Sequence, residues 1–252
     1  MKNLTFTILV LALAACSRDS VERATPPESS TAPAAEVATD TATTTVTGTG
    51  QVDGSKPAVP AAGGPTLAFV DEGSRDATFA AYRERLLTAV RAHDAKGVAA
   101  LADPKIRTSF GSGGGSAELQ NMLAKPGMLE ELEQILTLGG TFQGDGNAAF
   151  WAPYVYSTYP DAQDSFSTLA VIGEGVPLRE SANDDAPVVA SLSRNIVERA
   201  SAPGSGEPWT KVKVDGRTGF VESKSLRSPI DYRAGFNKTA AGWQMTALVA
   251  GD

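Results

Sequence analysis

One cysteine and one histidine in 252 residues set the first limits on this chain. Structural zinc takes four Cys or His ligands, so no such site can be built from one of each. An intrachain disulfide is excluded on the same count, and no metal or other cofactor is expected. Basic residues are also few, with 22 Lys and Arg against 29 Asp and Glu, for a formal charge of −7. No basic cluster stands out. Phosphate neutralisation needs concentrated Lys and Arg, so nucleic acid is not an expected partner. Long apolar runs are missing as well. The longest, Leu4 to Ala15, is about a dozen residues, where a membrane-spanning helix needs ~20.

That run follows Lys2 and ends in Leu13-Ala14-Ala15-Cys16. A short positive region, an apolar region and small residues mark residues 1–15 as a targeting segment, outside the fold proper. The ending resembles the lipobox of bacterial lipoproteins. The resemblance implies cleavage before Cys16, diacylglycerol on its thiol and acylation of the new amino group. An ordinary signal peptide with an incidental Cys is the other reading, weakened because Cys16 is the sole cysteine and stands at the boundary. Two or more acyl chains anchor a protein stably in the bilayer, where one is marginal. Ser17 follows instead of an Asp retention signal, which points to the outer membrane, with the chain facing the periplasm.

Ser17 to Pro65 contains no aromatic residue and no Leu, Ile or Met. A segment of Ala, Thr, Ser, Pro and Gly cannot bury enough apolar surface to offset its ordering entropy. Residues 16–66 therefore read as a disordered tether with an r.m.s. reach of roughly 40 Å.

Folded sequence begins at Leu67. Phe79, Tyr82, Leu86, Ala89/Val90 and His93, spaced by three and four, predict a helix from Asp76. Asp94-Ala95-Lys96-Gly97 reads as an interruption, and Val98 to Ala102 as a short helix stopped by Asp103-Pro104. Ile106 to Phe110 reads as a strand, Glu118 to Ala124 and Met128 to Leu138 as helices, and Phe150 to Tyr156 as strand-like. Gly139-Gly140 closes the second of those helices. Near the end, Tyr232 to Phe236 and Trp243 to Val249 predict a hairpin. Helices need a sheet to pack on, so residues 67–163 are expected to form an α+β domain completed by 229–252. The helix pair followed by strands resembles cystatin-like α+β folds.

Between these parts lies the most informative stretch. Val212 and Val214 alternate with Lys211 and Lys213, the period of a strand with one buried face. Asp215-Gly216 supplies a two-residue turn, since Gly tolerates positive φ, and Gly219-Phe220-Val221 resumes the strand. Leu169 to Ile172, Val176 to Arg179, Pro187 to Leu192 and Ile196-Val197 read as further short strands of a small barrel or sandwich. Leu178-Arg179, Pro187-Val188-Val189, Leu192, Trp209, Lys211-Val212, Asp215 to Val221 and Leu226 follow in an order and spacing similar to those of bacterial SH3 (SH3b) domains. Phe220 stands where that family usually has Trp, Glu180-Ser181-Ala182 replaces its Ser-Gly-Pro-like turn, Asn195 sits near a usual Gly, and Ser201 to Pro208 lengthens the loop before Trp209. The resemblance covers residues 164–228, about a quarter of the chain, and implies a small all-β SH3-like barrel beside the helix-rich α+β domain.

Candidate chemistry is sparse. His93 beside Asp94 fits a general base, but adjacent helical residues point about 100° apart, and a His at the rim of a core is the favoured reading. Thr108 to Ser116, Gly-rich and followed by a helix, fits an anion cradle. It lacks the ending of a P-loop, and a connector with Ser116 as N-cap is favoured; Ser109 is in no nucleophile elbow. Glu130, Glu131 and Glu133 read as the solvated face of a helix whose Leu129, Leu132, Ile135 and Leu136 face inward. Asn237-Lys238-Thr239 matches a glycosylation sequon of little meaning in such a protein.

SH3b modules often accompany wall-cutting enzymes. Thiol-dependent ones need a catalytic Cys with His, and zinc amidases need several ligands; lipid on Cys16 would leave this chain neither. The expected function is accordingly non-catalytic binding of cell-wall peptide (peptidoglycan) or of another envelope protein. Trp209 and Phe220 are the candidate aromatic surface, with Arg179 and Glu180 as charged neighbours beside the early turn. The alternatives are a cell-wall hydrolase in the α+β domain that uses carboxylates alone, and a structural or assembly role in the envelope.

Overall fold

The computed structural model describes residues 58–111, 113–201 and 206–251. The targeting segment, Cys16 and most of the expected tether lie outside the described residues.

Asp76 starts the first helix. Its side chain accepts from the backbone N–H of Thr78 (2.8 Å) and Phe79 (3.2 Å), satisfying donors that a helix start leaves open. Lys238 Nζ donates to the same carboxylate at 2.7 Å. That bond first, and then those from Thr78, hold the Asp76 carboxyl far below the usual carboxylate range. Helix α1 (Ala77–Arg91) buries Phe79, Tyr82, Leu86, Leu87 and Val90, the stripe that the spacing predicts. His93 does not extend it. The residue is exposed, lies beyond the helix end and has φ of +53°. Asp94 is no interruption either: its side chain accepts from Gly97 N–H and caps α2 (Ala95–Ala100).

Asp103-Pro104 does not end a helix but lies inside strand β1 (Ala102–Arg107). β1 is an edge strand, where a residue without an N–H is tolerated. Helices α3 (Ser116–Leu123) and α4 (Met128–Thr137) follow, then β2 (Thr141–Gln143) and β3 (Ala149–Ala152). The expected strand over 150–156 stops at Ala152, and Tyr154–Ser157 turns into the short helix α5. The final hairpin, β11 (Arg233–Thr239) and β12 (Gly242–Val249), enters this sheet, whose order is β1-β12-β11-β3-β2. β1 runs parallel to β12, and the other pairs are antiparallel. Helices α1 and α4 cover it. Phe79, Tyr82, Phe150, Phe236 and Trp243 fill the space between, all at most 5% exposed.

The remaining strands are β4 (Thr168–Val171), β5 (Val176–Arg179), β6 (Val188–Leu192), β7 (Ile196–Arg199), β8 (Trp209–Val214), β9 (Arg217–Glu222) and β10 (Leu226–Arg227). They form an all-antiparallel sheet in the order β10-β4-β7-β8-β9-β5-β6. Its inner face buries Leu169, Val171, Leu178, Leu192, Val197, Val212, Val214 and Val221. The fold is therefore α+β, with helices gathered on one sheet and a second sheet folded over its own apolar face. Both sheets belong to one compact unit. Leu67, Tyr154, Val155, Ala170 and Ile196 form a third cluster where α5 meets β4 and β7.

The described part of the expected tether is not free. Residues 60–67 run along the second sheet as a strap. Ser191 N donates to Pro60 O, Ala62 N to Ser191 O, Ile196 N to Pro65 O and Leu67 N to Arg194 O, all at 2.8–2.9 Å. Asn195, 1% exposed, donates from Nδ2 to Gly63 O at 3.1 Å, and Gly63 N donates to Asp215 Oδ2 at 3.2 Å. Gly63 passes so close that a Cβ there would sit 3.1 Å from that carboxylate oxygen. Pro60 and Pro65 limit the entropy lost at the two ends of the strap, and backbone hydrogen bonds to β6 and the start of β7 secure it without large side chains. Asn195→Ala is expected to cost about 1–3 kcal/mol, because Gly63 O and Ser193 N both lose a buried partner. Hydrogen exchange at Ser191, Ile196 and Leu67 should then quicken by ~10-fold or more, while Val221 stays protected. Unchanged exchange at the first three would show that Asn195 does not hold the strap.

Candidate functional site

The candidate site is built on the β8–β9 hairpin. Asp215 and Gly216 both have positive φ, +48° and +73°, the conformation of a two-residue hairpin turn. Register then decides which side chains share a face. Trp209 lies opposite Glu222, Lys211 opposite Phe220 and Lys213 opposite Thr218. Val212, Val214 and Val221 point inward and are at most 5% exposed. Alternation therefore places Trp209, Lys211, Phe220 and Glu222 together on the outer face.

Arg179 ends β5 directly beside Phe220. Its Nη1 donates to Ala186 O at 2.8 Å, which pins the loop after β5. Lys211 Nζ stands 5.8 Å from the centre of the Phe220 ring, covering part of it. Glu180 follows the strand and is exposed. Its backbone N–H donates to Pro187 O, and its side chain makes no hydrogen bond among the described residues.

A cleft of about 720 Å³ opens at the Trp209 end of the hairpin. Of the four candidates named from sequence, Trp209 lines it, whereas Phe220, Arg179 and Glu180 do not. Leu169 and Leu226 supply apolar surface, and Arg199, Lys224, Asp184, Glu207, Glu222 and Asp231 surround it with charge. The rim is internally braced. Lys224 Nζ is 2.8 Å from Glu222 Oε2, and that hydrogen bond raises the Lys224 pKa. Thr210 and Ser223 hydroxyls are bonded at 2.8 Å, and Asp231 Oδ2 accepts from Ser228 N–H at 2.9 Å. Arg199 carries a buried Nε without a partner among the described residues.

Arg199, Asp184 and Asp231 were not candidates in the sequence. They come from three separate loops or strand ends, and no spacing pattern links them. Their common signal is only that each stands at the end of a strand or in a turn of the second sheet.

The other sequence candidates are placed elsewhere. His93 lines a separate groove of about 390 Å³ with Lys125, Leu129 and Glu130. Asp94 is engaged with α2. In the 108–116 loop, Glu118 Oε2 accepts from Gly114 N–H at 2.6 Å and Gly115 N donates to Ile106 O. The anion-cradle alternative is thus met by the chain's own carboxylate. Gly115, not Ser116, occupies the cap position of α3. The acidic face of α4 is only partly solvated. Glu133 pairs with Arg91 (2.7 Å) and Glu131 with Arg227, which is 3% exposed. Among the described residues no group of three or more His, Cys, Asp or Glu side chains is placed to hold a metal ion, and no helix is long and apolar enough to cross a membrane.

No family model matches the chain, and no curated protein matches it significantly. Several solved structures are similar over part of it, two of them as follows. An Rd1NTF2_05 variant is 12% identical, covering 69% of this chain and 96% of that one, at a TM-score of 0.27. An NTF2-like protein with a cystatin-like fold from Novosphingobium aromaticivorans is 14% identical, covering 70% and 90% respectively, at a TM-score of 0.24. Superpositions at that level do not define a shared fold, and neither protein bears on the SH3b resemblance.

Proposed function

We propose that this chain is an outer-membrane lipoprotein, anchored through acylated Cys16, whose 164–228 segment is an SH3b-like, non-catalytic module. Its partner is cell-wall peptide or another envelope protein. The observation that carries the reading is the half-buried Trp209 on the wall of a 720 Å³ cleft. An indole offers flat apolar area at little entropic cost. Four carboxylates and two cations around it suit a short peptide that carries charges of both signs. The hairpin sequence from Trp209 to Val221 and the early Leu178-Arg179 supply the SH3b likeness. The leader and tether would place the module within reach of the wall.

The test is sedimentation with purified peptidoglycan of the chain from Ala58 on, which keeps the strap, beside its Trp209→Ala variant. Retention should fall about 10-fold in the variant, with thermal unfolding unchanged. No retention of either form sinks the wall version and turns the search to crosslinked protein partners. One stoichiometric crosslinked partner would favour binding to, or assembly of, an envelope complex.

A second reading uses the carboxylates alone. Asp184, Glu207, Glu222 and Asp231 line one cleft, as glycoside hydrolysis would need, though in the second sheet and not in the helical layer where sequence placed the idea. Glu222 is tied to Lys224 and Asp231 to a backbone N–H, which leaves few of them free for proton transfer. Turnover of wall fragments that disappears in Glu207→Gln would support it.

A further inference from the structure

Arg233, the first residue of β11, is 6% exposed, and no carboxylate among the described residues pairs with it. Its guanidinium lies 4.5 Å from the centre of the Tyr156 ring and 5.2 Å from that of Phe110. The Nη1 group donates to Gly251 O at 2.7 Å. The guanidinium makes no other hydrogen bond among the described residues, and Arg233 lines a pocket of about 320 Å³ with Tyr156, Tyr159, Gln163, Pro229 and Ile230. Burying a cation without an opposite charge is costly, and aromatic contact recovers only part of the lost hydration.

The geometry points to a carboxylate-binding pocket with Arg233 as its cationic centre. A guanidinium edge matches a carboxylate with two parallel N–H···O bonds. The pocket offers no second cation, and Asp161 stands on its wall, so a doubly charged phosphate would be opposed more strongly than a monocarboxylate, whose single charge Arg233 balances. Pro229 and Ile230 provide apolar surface for a short aliphatic group beside the carboxylate. Tyr159 is already engaged, its hydroxyl bonded to Thr168 at 2.6 Å, and so shapes the wall. The ligand class is a small aliphatic monocarboxylate such as the terminal residue of a peptide. This pocket is separate from the Trp209 cleft but adjoins it, since the turn that gives Pro229 and Ile230 here gives Ser228 and Asp231 there. The inference does not rest on the function proposed for that cleft.

The carboxylate has two sources, an external ligand or the side chain of Asp252, which follows Gly251 and lies outside the described residues. The experiment titrates the full-length chain with N-acetylalanine and with its uncharged amide, following the Arg233 Nε–H resonance. N-acetylalanine should saturate with a Kd of about 1 mM, the amide should bind at least ~10-fold more weakly, and Arg233→Gln should abolish the response. Should that variant fail to fold, the comparison of acid with amide at the wild-type Arg233 resonance decides alone. If the acid binds only the Asp252→Asn chain, the pocket stands and its carboxylate is the chain's own. Equal binding of acid and amide, or no movement of the resonance with either probe in both chains, overturns the proposal.

Discussion

Glu131→Leu should lower stability by about 3 kcal/mol, the cost of leaving a buried cation without its counter-charge. Arg227 is 3% exposed, and its Nη2 donates to Glu131 Oε1 and to Tyr232 O, both at 2.6 Å, while Nη1 donates to Gln134 Oε1 at 2.7 Å. Without the carboxylate only neutral acceptors remain. The Glu131 side chain is 26% exposed, so water reaches one end of the pair and keeps the effect at the lower end of the usual range. For a folded region of this size the midpoint should fall by about 6–12 °C. The pair joins α4 to β10, so the unfolding transition should also broaden as the two sheets lose their common fastening. Adding Arg227→Met to Glu131→Leu should bring stability back to within about 1 kcal/mol of wild type, because no charge is then left buried. Urea unfolding of both variants checks this. A single variant as stable as wild type, or a double variant no better than the single, would show that the pair does not hold the layers together.

Phe79→Ala should cost more, about 4 kcal/mol, and lower the midpoint by about 8–16 °C. The ring is fully buried, with ring centres of Phe150 at 4.2 Å, Trp243 at 4.9 Å, Phe236 at 5.5 Å and Phe142 at 5.6 Å. Truncation leaves a cavity walled by side chains from four strand segments, which cannot collapse together. Phe79→Leu keeps most of the volume and should cost about half as much or less. Guanidinium unfolding followed by tryptophan fluorescence measures both. A loss below about 2 kcal/mol for the alanine variant would mean that the site relaxes, contrary to its position between helix and sheet.

What was legible in the sequence was local. Phe79, Tyr82, Leu86 and Val90 recur at helical spacing because a helix on a sheet buries one stripe, and that stripe needs no knowledge of what covers it. Val212, Val214 and Asp215-Gly216 disclose a hairpin for the same reason: alternation and a turn of positive φ are properties of neighbouring residues. The misreadings also have local causes. Pro104 looks like a helix stop because proline breaks helices, yet it is tolerated in an edge strand, and edge position is not a local property. His93 falls at the right spacing for the stripe, but α1 ends at Arg91 and the chain turns left-handed to start α2.

The candidate site was legible only in Trp209. Its aromatic body in a strand marks it from composition, whereas Arg199, Asp184 and Asp231 reach the same cleft from segments that share no periodicity. Glu131 reads as part of a solvated face because Leu129, Leu132, Ile135 and Leu136 mark the inward stripe of the same helix; its actual partner, Arg227, lies 96 residues away.

Taken alone, the sequence determined the absence of a Cys/His zinc site, the helix and strand faces, the hairpin turn and the α+β class, all of which follow from composition or from periods of two and 3.6 residues. Tertiary structure alone decided which strands are neighbours beyond the two hairpins, that residues 60–67 lie against the second sheet, and that Arg227 and Arg233 are buried. Those outcomes depend on where hydrogen-bond donors, acceptors and charges from distant segments meet once water is excluded, and a one-dimensional pattern does not carry that information.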